Sequence, residues 1–323
     1  MVCCLVPMTR RDLRIVLCFL IGTLACGKAM GQDQTSQAVN RSQLFPAGPG
    51  VGPGQPISQS PTAFGYAAPS ANDSDLGTQA ILKRQDDYLP FTFTASAPYY
   101  WTSNVALVPS GVVSDGVFAP SFVFAYQPKL VKTLYAEFIA AQQLFYYNRL
   151  TAFNFTSFDA IAGLVYYIPQ YHNLTLRLSY DFNRLTDDSW NQFFANHSII
   201  ASADLPIQFG RAMQLNVGAL ANVSFAATPS GPQRSEFDLY GDYHVQFSRN
   251  FSMDAVGTVL AKPYYSGDRT DVSELIALSA AYKIRNWLTV SALTNFAWNQ
   301  SNHHVFEYSV ANLGGAISFT LKF

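Results

Sequence analysis

The side chains that could take part in catalysis are histidines, serines and acidic residues in the last two-thirds of the chain. A Ser–His hydrolase needs both side chains within hydrogen-bond distance of each other. His197 and Ser198 are adjacent, so they face opposite sides of an extended strand. His244 and Ser248 share a side, but four residues at about 3.3 Å each hold them too far apart. The sequence therefore predicts no catalytic residues, and we expect that the protein is not an enzyme.

Other kinds of chemical site are also missing from the sequence. No group of His, Cys, Asp and Glu has the spacing of a zinc site, and the Pro/Gly run at 46–55 lacks the Lys-Ser/Thr ending of a phosphate-binding loop. The net charge of −1 argues against nucleic acid, whose binding needs a basic surface. We therefore expect no metal, no cofactor and no nucleic-acid partner.

The polar residues are organised by a different rule, which is alternation. In 174–183, Leu, Tyr and Phe alternate with Thr, Arg, Ser, Asp and Asn, and similar alternation recurs in 213–225 and 237–248. A strand places alternate side chains on opposite faces, whereas a helix would scatter these charges around its surface. The pattern predicts strands with one apolar and one polar face.

Runs of this kind predict about 12 strands after residue 90. The connections alternate between short turns, such as 127–130 and 248–250, and longer polar loops, such as 102–116 and 226–235. Short turns at one end and long loops at the other are typical of a transmembrane β-barrel, whose strand number is even. The predicted strands begin near residues 91, 116, 131, 156, 173, 195, 211, 235, 251, 272, 287 and 306.

The N-terminal part of the chain predicts export and then a linker. Arginines at 10, 11 and 14 precede a short apolar run, and small residues at 29 and 31 suit cleavage, so 1–31 is predicted to be a signal peptide. Lipid anchoring at Cys26 is the alternative. All four cysteines lie before residue 32, so the exported chain would contain no disulfide. The Gln/Ser/Pro/Gly-rich stretch 32–75 predicts disorder, and 75–88 could form a short helix, which makes 32–90 a periplasmic linker.

The last strand, 313–323, places apolar and small residues on one face and ends on an aromatic ring. This ending resembles the C-terminal signal of the outer-membrane β-barrels of Gram-negative bacteria, and the resemblance to that broad class spans roughly 90–323. It implies an integral outer-membrane protein, with Phe319, Leu321 and Phe323 recognised by the barrel-assembly machinery. Periplasmic chaperones and outer-membrane lipid would be its other partners. Alternation alone would also fit a soluble barrel with an apolar interior, but export, the terminal Phe and the unequal loops favour the membrane.

In a membrane barrel the polar faces enclose the lumen. Acids outnumber bases on these faces, so a mild preference for cations is a hypothesis. Alternatively, Arg177 with Asp159 or Asp181, and Lys262 with a neighbouring Asp, only cross-link the wall. The residues predicted to line the lumen are Glu137, Asp159, Arg177, Asp181, Asn216, Asp238, Asp242, His244, Asp254 and Lys262.

The sequence thus predicts a closed antiparallel transmembrane β-barrel of about 12 strands over 91–323, with a disordered N-terminal segment. Side chains fill a barrel of about eight strands, whereas about 16–18 strands leave a wide aqueous channel. The intermediate size predicts a narrow, passive, porin-like channel for small hydrophilic solutes. Two alternatives stay open: a structural or surface-display barrel without transport, and an enzyme of the outer-membrane phospholipase type.

Overall fold

A closed antiparallel barrel accounts for most of residues 34–45, 88–210 and 212–323, which are the residues that the computed structural model describes. Within them, 12 barrel strands follow one another around the wall in chain order, and each pairs with its sequence neighbours. The strands are β1 (Phe91–Thr102), β2 in three pieces (Asp115–Phe118, Ser121–Tyr126 and Lys129–Val131), β3 (Leu134–Tyr147), β4 (Phe155–Ile168), β5 (Leu174–Thr186), β6 (Gln192–Phe209), β7 (Met213–Thr228), β8 (Glu236–Gln246), β9 (Phe251–Pro263), β10 (Thr270–Arg285), β11 (Leu288–Ser301) and β12 (Tyr308–Lys322).

Two prolines divide β2 into its pieces. Pro120 and Pro128 have no backbone N–H to donate to a neighbouring strand, so regular pairing stops at each of them. Their carbonyl groups still accept from β3, with Leu144 N to Pro120 O and Ala136 N to Pro128 O both at 2.9 Å. The pieces therefore continue one strand position between β1 and β3.

The barrel closes between its first and last strands. β1 and β12 pair continuously from Thr92 opposite Lys322 to Thr102 opposite Asn312. Beyond that register, Phe91 and Phe323 exchange two backbone hydrogen bonds of 3.0 Å, and their rings stack with centroids 5.5 Å apart. No barrel strand in the described residues is left with an open edge, and the predicted closed barrel is confirmed.

The polarity of the wall is the one that a membrane barrel requires. On β12, Leu313 and Ile317 are exposed on the outer surface, while Asn312 and Ser318 are buried on the inner surface. The other strands also place large apolar side chains outside, and their inner faces carry Ser, Thr, Asn and charged residues. The inner faces include apolar patches as well, such as the cluster of Val123, Ile139 and Ile161. A soluble barrel would place its apolar face inside, so this alternative is excluded by the direction of the side chains.

The predicted strand positions agree closely with the structure, since each strand begins within three residues of its expected start. The short turn predicted at 127–130 is wrong, because the chain resumes pairing with β3 after Pro128 and turns at 132–133. Connections of two to five residues at one end of the barrel alternate with connections of five to twelve at the other, which we call the long-loop end. The connections at the long-loop end are 103–114, 148–154, 187–191, 229–235, 264–269 and 302–307.

A helix, α1 (34–44), lies inside the barrel. The predicted disorder of 32–75 is therefore wrong for this stretch, because composition does not show that the barrel wall offers a surface on which the helix can bury Ala38, Leu44 and Phe45. The predicted signal peptide and almost all of the possible helix at 75–88 lie outside the described residues. No helix within the described residues has the length and apolar character needed to span a membrane.

Candidate functional site

The inner wall carries all ten residues that were predicted to line a lumen. Each belongs to the set that alternates with the exposed apolar side chains of its strand. Their part in conduction stays a prediction. Five of them are buried, namely Glu137, Arg177, Asp181, Asp238 and Lys262, and five are partly buried, namely Asp159, Asn216, Asp242, His244 and Asp254.

Glu137 and Arg177 form an ion pair that bridges β4. Arg177 Nε lies 3.1 Å from Glu137 Oε1, and the exposed fraction of the side chain is 4% for the arginine and 0% for the glutamate. The sequence suggested Asp159 or Asp181 as the partner of Arg177 instead. The residue facing Glu137 on β4 is Gly163, so no side chain on that strand separates the acid on β3 from the base on β5.

The acids beside this pair are held by neutral groups. Asp159 accepts hydrogen bonds from Asn183 Nδ2 at 2.6 Å and Ser157 Oγ at 3.2 Å. Asp181 accepts from Ser198 Oγ at 3.4 Å, and its other oxygen has no hydrogen bond within the described residues. These amide and hydroxyl donors carry no positive charge, so within the described residues neither acid is paired with a cation in the way that Glu137 is.

The acidic row continues around the wall onto β8 and β9. Asn216 Nδ2 donates to Asp242 Oδ2 at 3.4 Å, and His244 Nδ1 lies 2.6 Å from Asp254 Oδ1. Asp238 is buried, and neither of its carboxylate oxygens has a hydrogen bond within the described residues. The acidic row, defined as Asp159, Asp181, Asp238, Asp242 and Asp254, thus spans β4 to β9.

The opposite part of the wall is neutral along the middle of its strands. At the seam, hydroxyl groups pair across β1 and β12, with Ser96 Oγ and Ser318 Oγ 2.9 Å apart and Thr94 Oγ1 and Thr320 Oγ1 3.3 Å apart. The lumen therefore combines an acidic side with a hydroxyl-lined side, and this asymmetry follows from which strands carry the acids.

Helix α1 occupies the lumen near the long-loop end. It contacts the wall through residues in or beside three of the long connections: Arg41 Nη1 donates to Val105 O at 3.2 Å, and its guanidinium stacks 4.9 Å from the ring of Phe153. Asn40 Oδ1 accepts from Arg234 Nη1 at 2.8 Å. The helix is therefore placed across the mouth formed by these connections.

A group of charged wall residues, which we call the latch (Arg234, Glu236 and Lys262), holds the polar side of α1. Gln43 Nε2 donates to Glu236 Oε1 at 2.8 Å, and Gln43 Oε1 accepts from Arg234 Nη2 at 3.1 Å. Lys262 Nζ donates to Asn40 Oδ1 at 3.4 Å. Lys262 was predicted to pair with a neighbouring Asp, but it donates a hydrogen bond to the helix, which the sequence did not place in the lumen.

Within the latch, Arg234 and Glu236 also bind each other. Arg234 Nη2 lies 2.7 Å from Glu236 Oε1, and Arg234 Nη1 donates to Tyr264 Oη at 2.7 Å. Burial opposes the positive charge of Arg234, but the neighbouring Tyr264 and Glu236 outweigh it and raise the pKa of this guanidinium above its ordinary value. The arginine is therefore charged throughout the physiological range.

The other side of α1 rests on aromatic rings, which we call the seat (Tyr100, Phe145 and Phe155). The ring of Phe45 lies 5.0 Å from that of Tyr100 and 6.1 Å from that of Phe145, and Phe145 stacks on Phe155 at 4.2 Å. Asn295 Nδ2 donates to the carbonyl of Leu44 at 3.1 Å. These contacts make an apolar core inside the barrel at this level. The sequence signal for it was weak, since Ala38 and Phe45 are a helical seven residues apart in an otherwise polar stretch.

In each of the two candidate His/Ser pairs, the histidine and the serine lie in different environments. His197 is on the outer surface, with Tyr180 Oη 2.6 Å from its Nδ1 and the ring of Phe182 5.0 Å away, whereas Ser198 is buried on the inner surface. Ser248 Oγ accepts from the backbone N–H groups of its own turn, away from His244. The described residues contain no group of three or more His, Cys, Asp or Glu arranged to hold a metal ion.

Comparison with known proteins identifies the fold. No protein-family model and no curated protein sequence matches the chain. Among solved structures, an outer membrane channel from Pseudomonas putida F1 is similar with a TM-score of 0.51 at 7% identity, covering 72% of this chain and 96% of that one.

Two further similar structures have TM-scores below that value. The translocator domain of the autotransporter NalP from Neisseria meningitidis has a TM-score of 0.42 at 10% identity, covering 72% and 88% of the two chains. An anion-selective porin from Comamonas acidovorans has a TM-score of 0.38 at 6% identity, covering 72% and 98%. At such identities the likeness to the Pseudomonas channel concerns the fold alone, and by that measure the chain is a 12-stranded β-barrel of the outer-membrane type.

Proposed function

We propose that the protein is an integral outer-membrane channel for small hydrophilic solutes, exported by a cleaved signal peptide and inserted by the barrel-assembly machinery. The observation that carries the proposal is the inverted wall, with large apolar side chains exposed on the outside and the charged and hydroxyl side chains of the strands on the inside. An apolar outer surface of this extent is stable only against lipid, and a polar interior is stable only against water or polar groups.

The acidic row supports transport more than a purely structural role. A barrel that only needs a closed interior can neutralise its acids with arginine or lysine, as Glu137 and Arg177 do. Asp159 and Asp181 are instead held by amide and hydroxyl groups, so neither has a fixed cationic partner that a passing cation would have to displace. Because carboxylates attract cations, we expect the open lumen to prefer cations over anions.

A planar-bilayer experiment tests this function. Folding of the purified protein is first verified by the change in its gel mobility on heating. The folded protein is then added to a planar membrane that separates KCl solutions of unequal concentration. Stable conductance steps with a cation-selective reversal potential are the expected result. A folded protein that inserts and never conducts, in the wild type or in any α1 variant described below, would refute the channel.

A structural or display barrel is the second candidate function, because α1 fills the mouth of the lumen in this structure. The two candidates differ in whether α1 ever leaves. An enzymatic role has no comparable support, since the two His/Ser pairs lie in separate environments.

A further inference from the structure

We propose that α1 is a releasable plug: the latch and the seat hold it in the mouth of the barrel, and its departure opens the lumen. The consequence for conduction rests on the proposed channel function, whereas the release itself does not. The argument depends on how each side of the helix is held.

Two of the three latch residues, Arg234 and Glu236, keep a charged partner when the helix is lost. Arg234 and Glu236 bind each other at 2.7 Å, and Arg234 also binds Tyr264. The groups that α1 contributes, the side chains of Asn40 and Gln43, are neutral amides. Removing α1 therefore strands no buried lone charge on Arg234 or Glu236, and water can replace neutral amides at low cost. Lys262 is the exception among the latch residues, because its hydrogen bond to Asn40 Oδ1 is lost with the helix.

The seat holds α1 mainly by packing of aromatic rings rather than by hydrogen bonds. Phe45 packs on Tyr100 and Phe145 through ring contacts, and only the hydrogen bond from Asn295 to the carbonyl of Leu44 adds a direction on this side. Once α1 leaves, the rings of the seat still pack on each other, since Phe145 stacks on Phe155 at 4.2 Å. The seat therefore keeps part of its packing without the helix.

The chain connection also permits movement of α1. More than 40 residues separate Phe45 from Tyr88, whose hydroxyl donates to the carbonyl of Gln127 at the end opposite the long connections. A peptide of that length can reach well over 100 Å when extended, which exceeds the height of a membrane barrel several-fold. The length of the chain between α1 and β1 therefore does not by itself confine the helix to the mouth.

The contacts with three long connections indicate where a trigger would act. Val105 belongs to 103–114, Phe153 to 148–154 and Arg234 to 229–235. A solute or surface ligand that moves any of these connections would alter a contact to α1 directly. Helix α1 therefore lies where a ligand that binds at the long-loop end would alter its contacts.

The test uses substitutions on α1 only, so that the barrel wall stays intact. The double variant Asn40→Ala/Gln43→Ala removes the polar contacts to the latch, and Phe45→Asp disrupts packing on the seat. Ser42→Ala is the matched control, because the Ser42 hydroxyl donates at 2.8 Å to the carbonyl of Val39 in the same helix. We expect the fraction of time spent conducting to rise at least about tenfold in the double variant and in Phe45→Asp, and to be unchanged in Ser42→Ala.

A second measurement follows the helix itself. Spin labels on Ser42→Cys and Asp188→Cys, in a chain whose four native cysteines are changed to serine, report the distance from α1 to an exposed long connection. The wild-type sequence should give one narrow distance distribution, and the latch and seat variants should add a longer, broad population.

The outcomes separate the two proposals. A shifted distance without conduction would overturn the channel function and support a releasable plug. An unchanged distance in both Asn40→Ala/Gln43→Ala and Phe45→Asp would overturn the plug, with or without a change in conductance.

Discussion

The buried ion pair between Glu137 and Arg177 offers the sharpest test of how the wall is stabilised. Arg177→Met would leave the Glu137 carboxylate, which is completely buried, without its cation at 3.1 Å. Breaking a buried pair by removing one partner costs about 3–5 kcal/mol, because the remaining charge cannot be hydrated. We expect a loss of stability of this size for the single variant.

The double variant Glu137→Met/Arg177→Met is the control that isolates the charge. Replacing both members of a buried pair with apolar residues of similar volume is often neutral or stabilising by about 1–4 kcal/mol. We therefore expect the double variant to recover most or all of the loss caused by Arg177→Met.

The assay is reversible urea unfolding of the barrel in lipid bilayers, followed by tryptophan fluorescence, with the free energy of unfolding compared among wild type, single and double variants. If Arg177→Met costs less than about 1 kcal/mol, the carboxylate must be hydrated from the lumen and the description of a dry, buried pair is wrong. If the double variant is as unstable as the single one, the loss comes from packing rather than from charge.

Three further predictions follow from the wall and its seam. Gly163→Ala should lower the free energy of unfolding by about 1–3 kcal/mol, since a β-carbon there would lie 2.6 Å from a backbone carbonyl oxygen of β5. Gly257→Ala is the control, and because no atom lies within 4 Å of its added β-carbon it should change the free energy of unfolding by less than about 0.5 kcal/mol. Equal effects of the two substitutions would contradict this explanation. Asp159→Asn/Asp181→Asn should move the bilayer reversal potential toward zero selectivity, and an unchanged potential would show that the acidic row does not select ions. Phe323→Ala removes a ring stacked on the first residue of β1 and the predicted assembly signal, so the amount of folded barrel in the outer membrane should fall, as measured by heat-dependent gel mobility; undiminished levels would refute both roles.

The barrel could be predicted from the sequence because each strand is recognisable from the alternation of its own residues. From Leu174 to Asn183 in β5, apolar and polar side chains alternate strictly, so strand type and face can be inferred without knowing any neighbouring strand. The same holds for β12 and for the inward direction of the ten polar residues. The prolines that divide β2 could also be recognised, although the sequence does not show whether they end a strand or only interrupt it.

The contacts inside the lumen could not be predicted, because they depend on which strands face each other across the barrel. Glu137 meets Arg177 through the gap at Gly163, and this depends on the register of β3, β4 and β5. The position of α1 depends on even more distant partners, since Gln43 and Glu236 are 193 residues apart. No local pattern around 34–45 encodes the latch or the seat that receives it.

The hydrogen-bonded seam between β1 and β12 has a consequence for the order of events during biogenesis. Synthesis produces α1 before any strand, and the strand that completes the cylinder is the last to be made. The helix must therefore either be enclosed while the cylinder is still open along its side, or enter through one end afterwards. In the first case every newly assembled molecule starts with α1 already inside the barrel, and the helix can leave only through one end of the closed cylinder.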